Sequence, residues 1–308
     1  MRFHLHPFQL ATALLVLCGA ILGGLYWMRR DRAMSPAELV ALLPGRAGTV
    51  VYLDFASARR LGLLRLLNGS DAEQDADYRE FVARTRFDYQ RDLDAAAILF
   101  AGGEEFFALR GRFDWKSLAA YAEQQGGVCQ GGMCRMSGSR PERRISFYLE
   151  QDDVLDLAVS TDGEAVRQIH PGKARLSDKP TGAVWVKTSA QAITASGLLP
   201  EPAKPLLASA DRTRPIVFTL SPRGAGLVLG VQLDCQDSPA ATQLEAQLES
   251  GTAALRAALA QQNGAAANQA SLGAMLASGT FHCERNRVRG EWPLPVQFLA
   301  MLGEGGAN

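Results

Sequence analysis

Histidine is scarce in this chain of 308 residues. Only four occur: His4 and His6 near the start, His170 before a Pro-Gly pair, and His282 beside Cys283. No two stand at metal-ligand spacing beyond the first few residues. The sequence also lacks HExxH, a GxSxG elbow, a Walker sequence and a Rossmann fingerprint. Zinc-protease, serine-hydrolase, P-loop and dinucleotide chemistry therefore have no motif to rest on. Excess charge is missing too: 32 basic residues are matched by 32 acidic ones and the net charge is zero. That excludes the electrostatic footprint of a nucleic-acid binder. Lysine is rare beside arginine, a bias that fits a GC-rich coding sequence better than phosphate recognition. No cofactor is expected.

What the chain does have is one long uncharged run, Phe8 to Met28, bounded by Arg2 on one side and Arg29, Arg30 and Arg32 on the other. As a helix it would be about 31 Å long, close to the ~30 Å hydrocarbon core of a bilayer. All its backbone donors and acceptors would be satisfied within the segment. A cleavable signal is the competing reading, with Cys18-Gly19-Ala20 as the cut. Cleavage there would leave the apolar Ile21 to Met28 at the new N-terminus, which argues for a retained anchor. Leu17 before Cys18 argues against a lipoprotein site. Tyr26 and Trp27 suit the membrane interface.

The three arginines after the span favour the cytoplasm by the positive-inside rule. The cysteines pull the other way. Beyond Cys18 there are four, and they fall into two pairs: Cys129 with Cys134 around a Gly-rich loop, and Cys235 with Cys283 at the ends of apolar runs. Disulfides would suit an oxidising compartment; reduced, buried thiols are the competing state. A four-cysteine zinc site would need an unusual Cys-x4-Cys spacing. The expectation is a single-pass membrane protein with its N-terminus inside and its body extracytoplasmic.

Ser35-Pro36 and Glu38 carry a helix-start signature ahead of a stop at Pro44-Gly45. Thr49 to Phe55, TVVYLDF, predicts a buried strand, and Ser57 a following helix. Ala95 to Ala101 and Glu105 to Phe113 predict a hairpin turning at Gly102-Gly103. Asp114 is the expected cap of a helix from Trp115 to Gln125. Beyond a cysteine-flanked loop, Ile145 to Glu150 and Val154 to Ser160 predict another hairpin. The order then recurs. Gly182 to Thr188 is a strand like TVVYLDF, with Ser189 opening a helix. Ile216 to Leu220 pairs with Gly226 to Asp234, and a long helix spans Pro239 to Gln262. Asn263 to Gln269 is a low-complexity loop, a hairpin turns at Arg285-Asn286, and Val296 to Leu302 is a final helix.

This order predicts an α+β body in two similar antiparallel sheet-plus-helix halves on a ferredoxin-like plan. The expected organisation is a tail at 1–7, the transmembrane helix at 8–28 and a juxtamembrane segment at 29–47. Two halves at 48–169 and 182–303 follow, joined by a linker at 170–181, with a tail at 304–308. The halves could stand as separate domains or share one sheet. One N-terminal span, an LLPG turn, the VVYLDF strand, a Phe-Asp-Tyr…Asp-Leu-Asp segment and Leu-Arg-Gly-Arg-Phe-Asp together resemble uncharacterised bacterial membrane-anchored proteins over Leu42 to Trp115. The resemblance implies no activity and no catalytic residue.

Candidate site residues are few. Asp88, Asp92 and Asp94 could form a cation site or an acid/base group; the plainer role is capping helices and pairing with Arg84, Arg86 and Arg91. Asp71, Glu73, Asp75 and Asp77 alternate like calcium ligands but lack the glycine and glutamate that complete an EF-hand loop. Trp115, Trp185 and Trp292 belong to the core or its rim, or line a groove. Arg140, Arg143 and Arg144, with Glu142 among them, mark a solvated hairpin entrance. Two functions follow from different classes. One is a tethered, non-catalytic envelope module that meets a protein partner. The other is an envelope hydrolase or ligand-binding protein with an acidic cleft at Asp88, Asp92 and Asp94.

Overall fold

The computed structural model describes residues 33–64, 76–138, 140, 142–170, 179–195, 214–224, 226–262 and 272–294. The expected anchor Phe8 to Met28, the carboxylates Asp71, Glu73 and Asp75, most of the linker, the loop Asn263 to Gln269 and the helix Val296 to Leu302 lie outside the described residues. The chain falls into two units, Met1–Ser35 and Pro36–Asn308. The regular structure described belongs to the second. No helix among the described residues is long and apolar enough to cross a membrane.

The elements in chain order are α1 (Pro36–Leu42), β1 (Thr49–Leu53), α2 (Phe55–Arg60), α3 (Ala76–Thr85), α4 (Tyr89–Asp92), β2 (Leu93–Ala101) and β3 (Glu104–Gly111). Next come α5 (Trp115–Gln124), β4 (Val128–Gln130), β5 (Met133–Ser137), β6 (Arg144–Gln151), β7 (Val154–Ser160) and a 3-10 turn at Ala165–Gln168. The second half holds β8 (Val184–Thr188), α6 (Ala190–Ala195), β9 (Ile216–Arg223), β10 (Gly226–Asp234), α7 (Ser238–Gln262), α8 (Leu272–Ala277), β11 (Thr280–Glu284) and β12 (Arg287–Leu294).

Local chemistry accounts for most boundaries. Asp54 caps α2 by accepting from Ser57 N at 2.8 Å, so the helix begins two residues before the serine expected to start it. Asp114 caps α5, and Asp237 accepts from Ala240 N at 2.8 Å at the start of α7. The β2–β3 turn uses Gly102 and Gly103 at φ +60° and +81°, a conformation open to glycine and costly for other residues. The cysteine-flanked loop is itself a hairpin, β4–β5.

All described strands join one sheet, in the order β11-β12-β10-β9-β8-β1-β2-β3-β7-β6-β5-β4. Both halves therefore share a sheet, which meets at the antiparallel β1–β8 pair where Tyr52 faces Trp185. The hydroxyls of Thr49 and Thr188 close this seam at 2.7 Å. The ferredoxin-like plan is not the one adopted. A split βαβ unit makes helical crossovers between parallel strands, whereas β1 pairs antiparallel with β2 and β8, and every other described pairing is antiparallel too. The connection through α2, α3 and α4 re-enters the sheet at the end it left, so no crossover forms. In each arm a first strand runs into a helix and then a hairpin, and a later strand returns beside the hairpin's second strand: β7 beside β3, and β12 beside β10.

Alternation along the strands gives the sheet two faces. One carries helices along its length. There Leu118 and Ala122 of α5 pack on Phe147 and Leu155. Phe55 and Ala58 of α2 pack with Ala96, Leu227 and Leu294. Ala241 and Leu244 of α7 pack with Ile216, Leu233 and Val288. On the opposite face α1 buries Leu39, Val40 and Leu42 over the first arm, where Tyr52, Leu99 and Phe106 are also buried. The 3-10 turn joins them through Val166 N to Ser146 Oγ at 3.2 Å and His170 N to Leu42 O at 2.9 Å.

Candidate functional site

The acidic group that the sequence offered is occupied in structural work. Asp88 caps α4, accepting from Gln90 N at 2.9 Å and from the Tyr78 hydroxyl at 3.2 Å. Asp92 is buried and accepts from Arg91 Nη2 at 2.7 Å, Arg112 Nη2 at 3.0 Å and Asp88 N at 3.0 Å. Arg91, with Asp88 N and Arg112, outweighs burial and holds its carboxyl well below the usual range. Asp94 pairs with Arg59 at 3.1 Å. Nothing in this arrangement points the three carboxylates at a common ligand. Among the described residues no three His, Cys, Asp or Glu side chains gather as a cation site.

The cysteines divide. Cys129 and Cys134 face each other across β4–β5 and are joined as a disulfide. Cys235 and Cys283 are both free thiols, which corrects the second expected bridge. Cys235 follows β10 and Cys283 lies in β11, with β12 between them. Two strand spacings put their backbones ~9.5 Å apart, beyond the ~7 Å a disulfide spans. Cys235 is fully buried, and burial, helped by Cys283, pushes its thiol up to about 11.

One further carboxyl is unusual. Asp156 of β7 has no exposed surface, and neither of its oxygens has a partner in hydrogen-bond geometry. It faces Ala108 on one side and Tyr148 on the other, below the 3-10 turn. Burial raises its pKa to about 7; the adjacent Tyr148 hydroxyl pulls it partway back and Glu150 pushes it up. That hydroxyl donates to Ile169 O at 3.2 Å.

An opening lies on the second arm, on the face away from α6 and α7. Its floor follows from register. Trp185, Thr219, Gly230 and Glu291 form one row across β8, β9, β10 and β12; Lys187, Val217, Gln232 and Arg289 form the next; and Asp234 with Arg287 belongs to the third. Thr219 leans over Gly230 in the first row, where a Cβ would come within 2.5 Å of Thr219 Oγ1. Lys179 and Thr181 border a cleft of about 470 Å³ over this floor. A neighbouring hollow of about 330 Å³, lined by Arg214, Asp234, Glu284, Arg285 and Asn286, shares Arg287 and Arg289 with it. Asp234 accepts from Arg287 Nε at 2.5 Å and Nη2 at 3.1 Å, which fixes that guanidinium. Arg289 has a looser partner, Glu284 at 3.6 Å, and both side chains are more than half exposed.

This cleft is lined by polar and basic groups with the carboxylate Glu291 among them. Sequence reasoning missed it, although Arg287 and Arg289 at a spacing of two were a readable sign of one charged strand face. Of the tryptophans, Trp185 is buried in the floor, Trp115 packs edge-on against Phe147, and Trp292 packs against Phe281 on the helical face. Arg143 pairs with Glu105 at 2.8 Å.

No protein-family model matches the sequence and no curated protein matches it. Among solved structures, three crystal forms of TP0453 are similar to it. Form I covers 90% of this chain and 100% of its own at 13% identity and TM-score 0.47. Form III covers 88% and 98% at 13% identity and 0.49, and form IV 90% and 98% at 12% and 0.45. At TM-scores under 0.5 this likeness carries no argument about binding or activity.

Proposed function

We propose that this chain is a membrane-tethered extracytoplasmic module that binds a partner through the polar cleft of its second arm and performs no chemistry of its own. The observation that carries the reading is the asymmetry of that arm: helices pack on one face, while the other presents a basic-lined cleft. The Cys129–Cys134 disulfide supports export, and Phe8 to Met28 supplies the tether. The shared connectivity of the arms supports descent from one duplicated unit. The hydrolase reading gains nothing from Asp88, Asp92 and Asp94, each engaged by caps or arginines.

The test has two parts. A C-terminal topology reporter should place the body outside the cytoplasm, and a photo-crosslinking side chain at Thr219 should form a protein adduct in intact membranes that the same probe at Lys116 does not form. A cytoplasmic reporter, or the absence of a Thr219-dependent adduct, would overturn the reading.

A further inference from the structure

We infer that the cleft ligand is a short acidic peptide segment in extended conformation, held chiefly by Arg289 and Lys179; the inference rests on the cleft being the binding site proposed above. The two adjoining hollows contain Lys179, Arg214, Arg285, Arg287 and Arg289 against Asp234, Glu284 and Glu291, an excess of two positive charges in a chain with none overall. Their potential favours an anion.

Geometry narrows the class. Arg287 and Arg289 stand two apart on β12 and project from one face ~7 Å apart along the strand. An extended peptide repeats its side chains on one side at the same ~7 Å. Arg287 is already held by Asp234, so one carboxylate of such a peptide meets Arg289 and another meets Lys179. Thr219 and Gln232 on the cleft floor supply hydroxyl and amide groups that can hydrogen-bond peptide. Lys179 borders the opposite side.

Other anions fit less well. A lipid would need an apolar wall for its chains, yet on this face the apolar lining is Trp185 and Val217, which are 1% and 6% exposed. Single-stranded nucleic acid would need exposed aromatic faces for stacking, and Trp185 is covered.

The test uses the full chain in detergent and a fluorescein-labelled Asp-Thr-Asp-Thr-Asp-Thr peptide, read by anisotropy at low ionic strength. The peptide should bind and its Asn-Thr counterpart should not. Arg289→Glu and Lys179→Glu should each weaken binding about tenfold or more, and Arg135→Glu on β5 should leave it unchanged. Urea unfolding midpoints within error of wild type establish that the variants are folded. No binding of the Asp peptide, or equal binding by Arg289→Glu, overturns the inference. Displacement by inorganic phosphate or by phosphatidylglycerol vesicles at lower concentration than by unlabelled peptide assigns the cleft to a phosphate ligand and overturns it equally. The compartment is scored separately by alkylating Cys129 and Cys134 in membranes. Peptide binding with both thiols reduced removes the extracytoplasmic reading and leaves this one; an intact disulfide without peptide binding does the reverse.

Discussion

Asp156→Asn should stabilise the protein, and by an amount that grows with pH. The side chain is fully buried between Ala108 and Tyr148 with both oxygens unpartnered, and its pKa stands at about 7 against an ordinary 3.8. The sign follows from linkage. Below about pH 4 the carboxyl is protonated in folded and unfolded chains alike and costs nothing extra. Between about pH 4 and 7 the unfolded chain releases the proton while the folded one keeps it, so stability falls as pH rises. Above 7 the full cost remains. At 1.36 kcal/mol per pH unit it reaches about 4 kcal/mol. Asparagine has nearly the shape of the neutral acid and leaves a comparable buried polar group, so the two substituents differ mainly in ionisation. Urea unfolding of the wild type and Asp156→Asn, followed by tryptophan fluorescence, should give a stability gap about 3 kcal/mol larger at pH 8 than at pH 5. A gap independent of pH would refute the argument, because it would mean that the carboxyl finds a partner or water when it ionises.

Three further outcomes test the framework around this site. Unreduced peptide mapping should find Cys129 joined to Cys134, with Cys235 and Cys283 alkylated without reductant; Cys129→Ser should cost roughly 2 kcal/mol for so short a loop. Asp92→Asn should lower stability by about 2 kcal/mol at neutral pH, a buried-pair value reduced because Arg91 and Arg112 are 63% and 65% exposed. Since the carboxyl of Asp92 is held below its usual range, its contribution is present above about pH 4 and lost as the solution is acidified, so that gap should close towards pH 2. Gly111→Ala would place a Cβ 2.4 Å from Asp92 O and 3.1 Å from Leu93 Cα. Because both are backbone atoms that yield little, a drop in unfolding free energy of about 2 kcal/mol or more is expected.

Much of the local structure was legible in the residues. TVVYLDF and GAVWVKT are strands because β-branched and aromatic side chains fit a pleated, half-buried surface, and they proved to be the two neighbours β1 and β8. Gly102-Gly103 and Arg285-Asn286 turn where their chemistry allows, and Asp114 and Asp237 cap helices. The glycines at 131 and 132, read as part of a loop, instead turn the β4–β5 hairpin at φ +61° and +79°. The candidate site was less legible. Asp88, Asp92 and Asp94 stand close in sequence, but their role depends on Arg59 and Arg112, brought in from other elements.

The sequence by itself determined the α+β class, most turns, the short separation that offers Cys129 to Cys134, and the uncharged run from Phe8 to Met28. Each depends on residues a few positions apart, within reach of backbone propensity, capping and period. Tertiary structure alone decided that both halves share one sheet, that Cys235 and Cys283 stand on either side of β12, that Asp156 is buried without a partner, and that Lys179 and Arg289 border one cleft. These depend on strand register between segments as much as 139 residues apart, as at Thr49 and Thr188. A one-residue slip in register would turn each of those side chains to the other face of the sheet, and no local pattern carries that information.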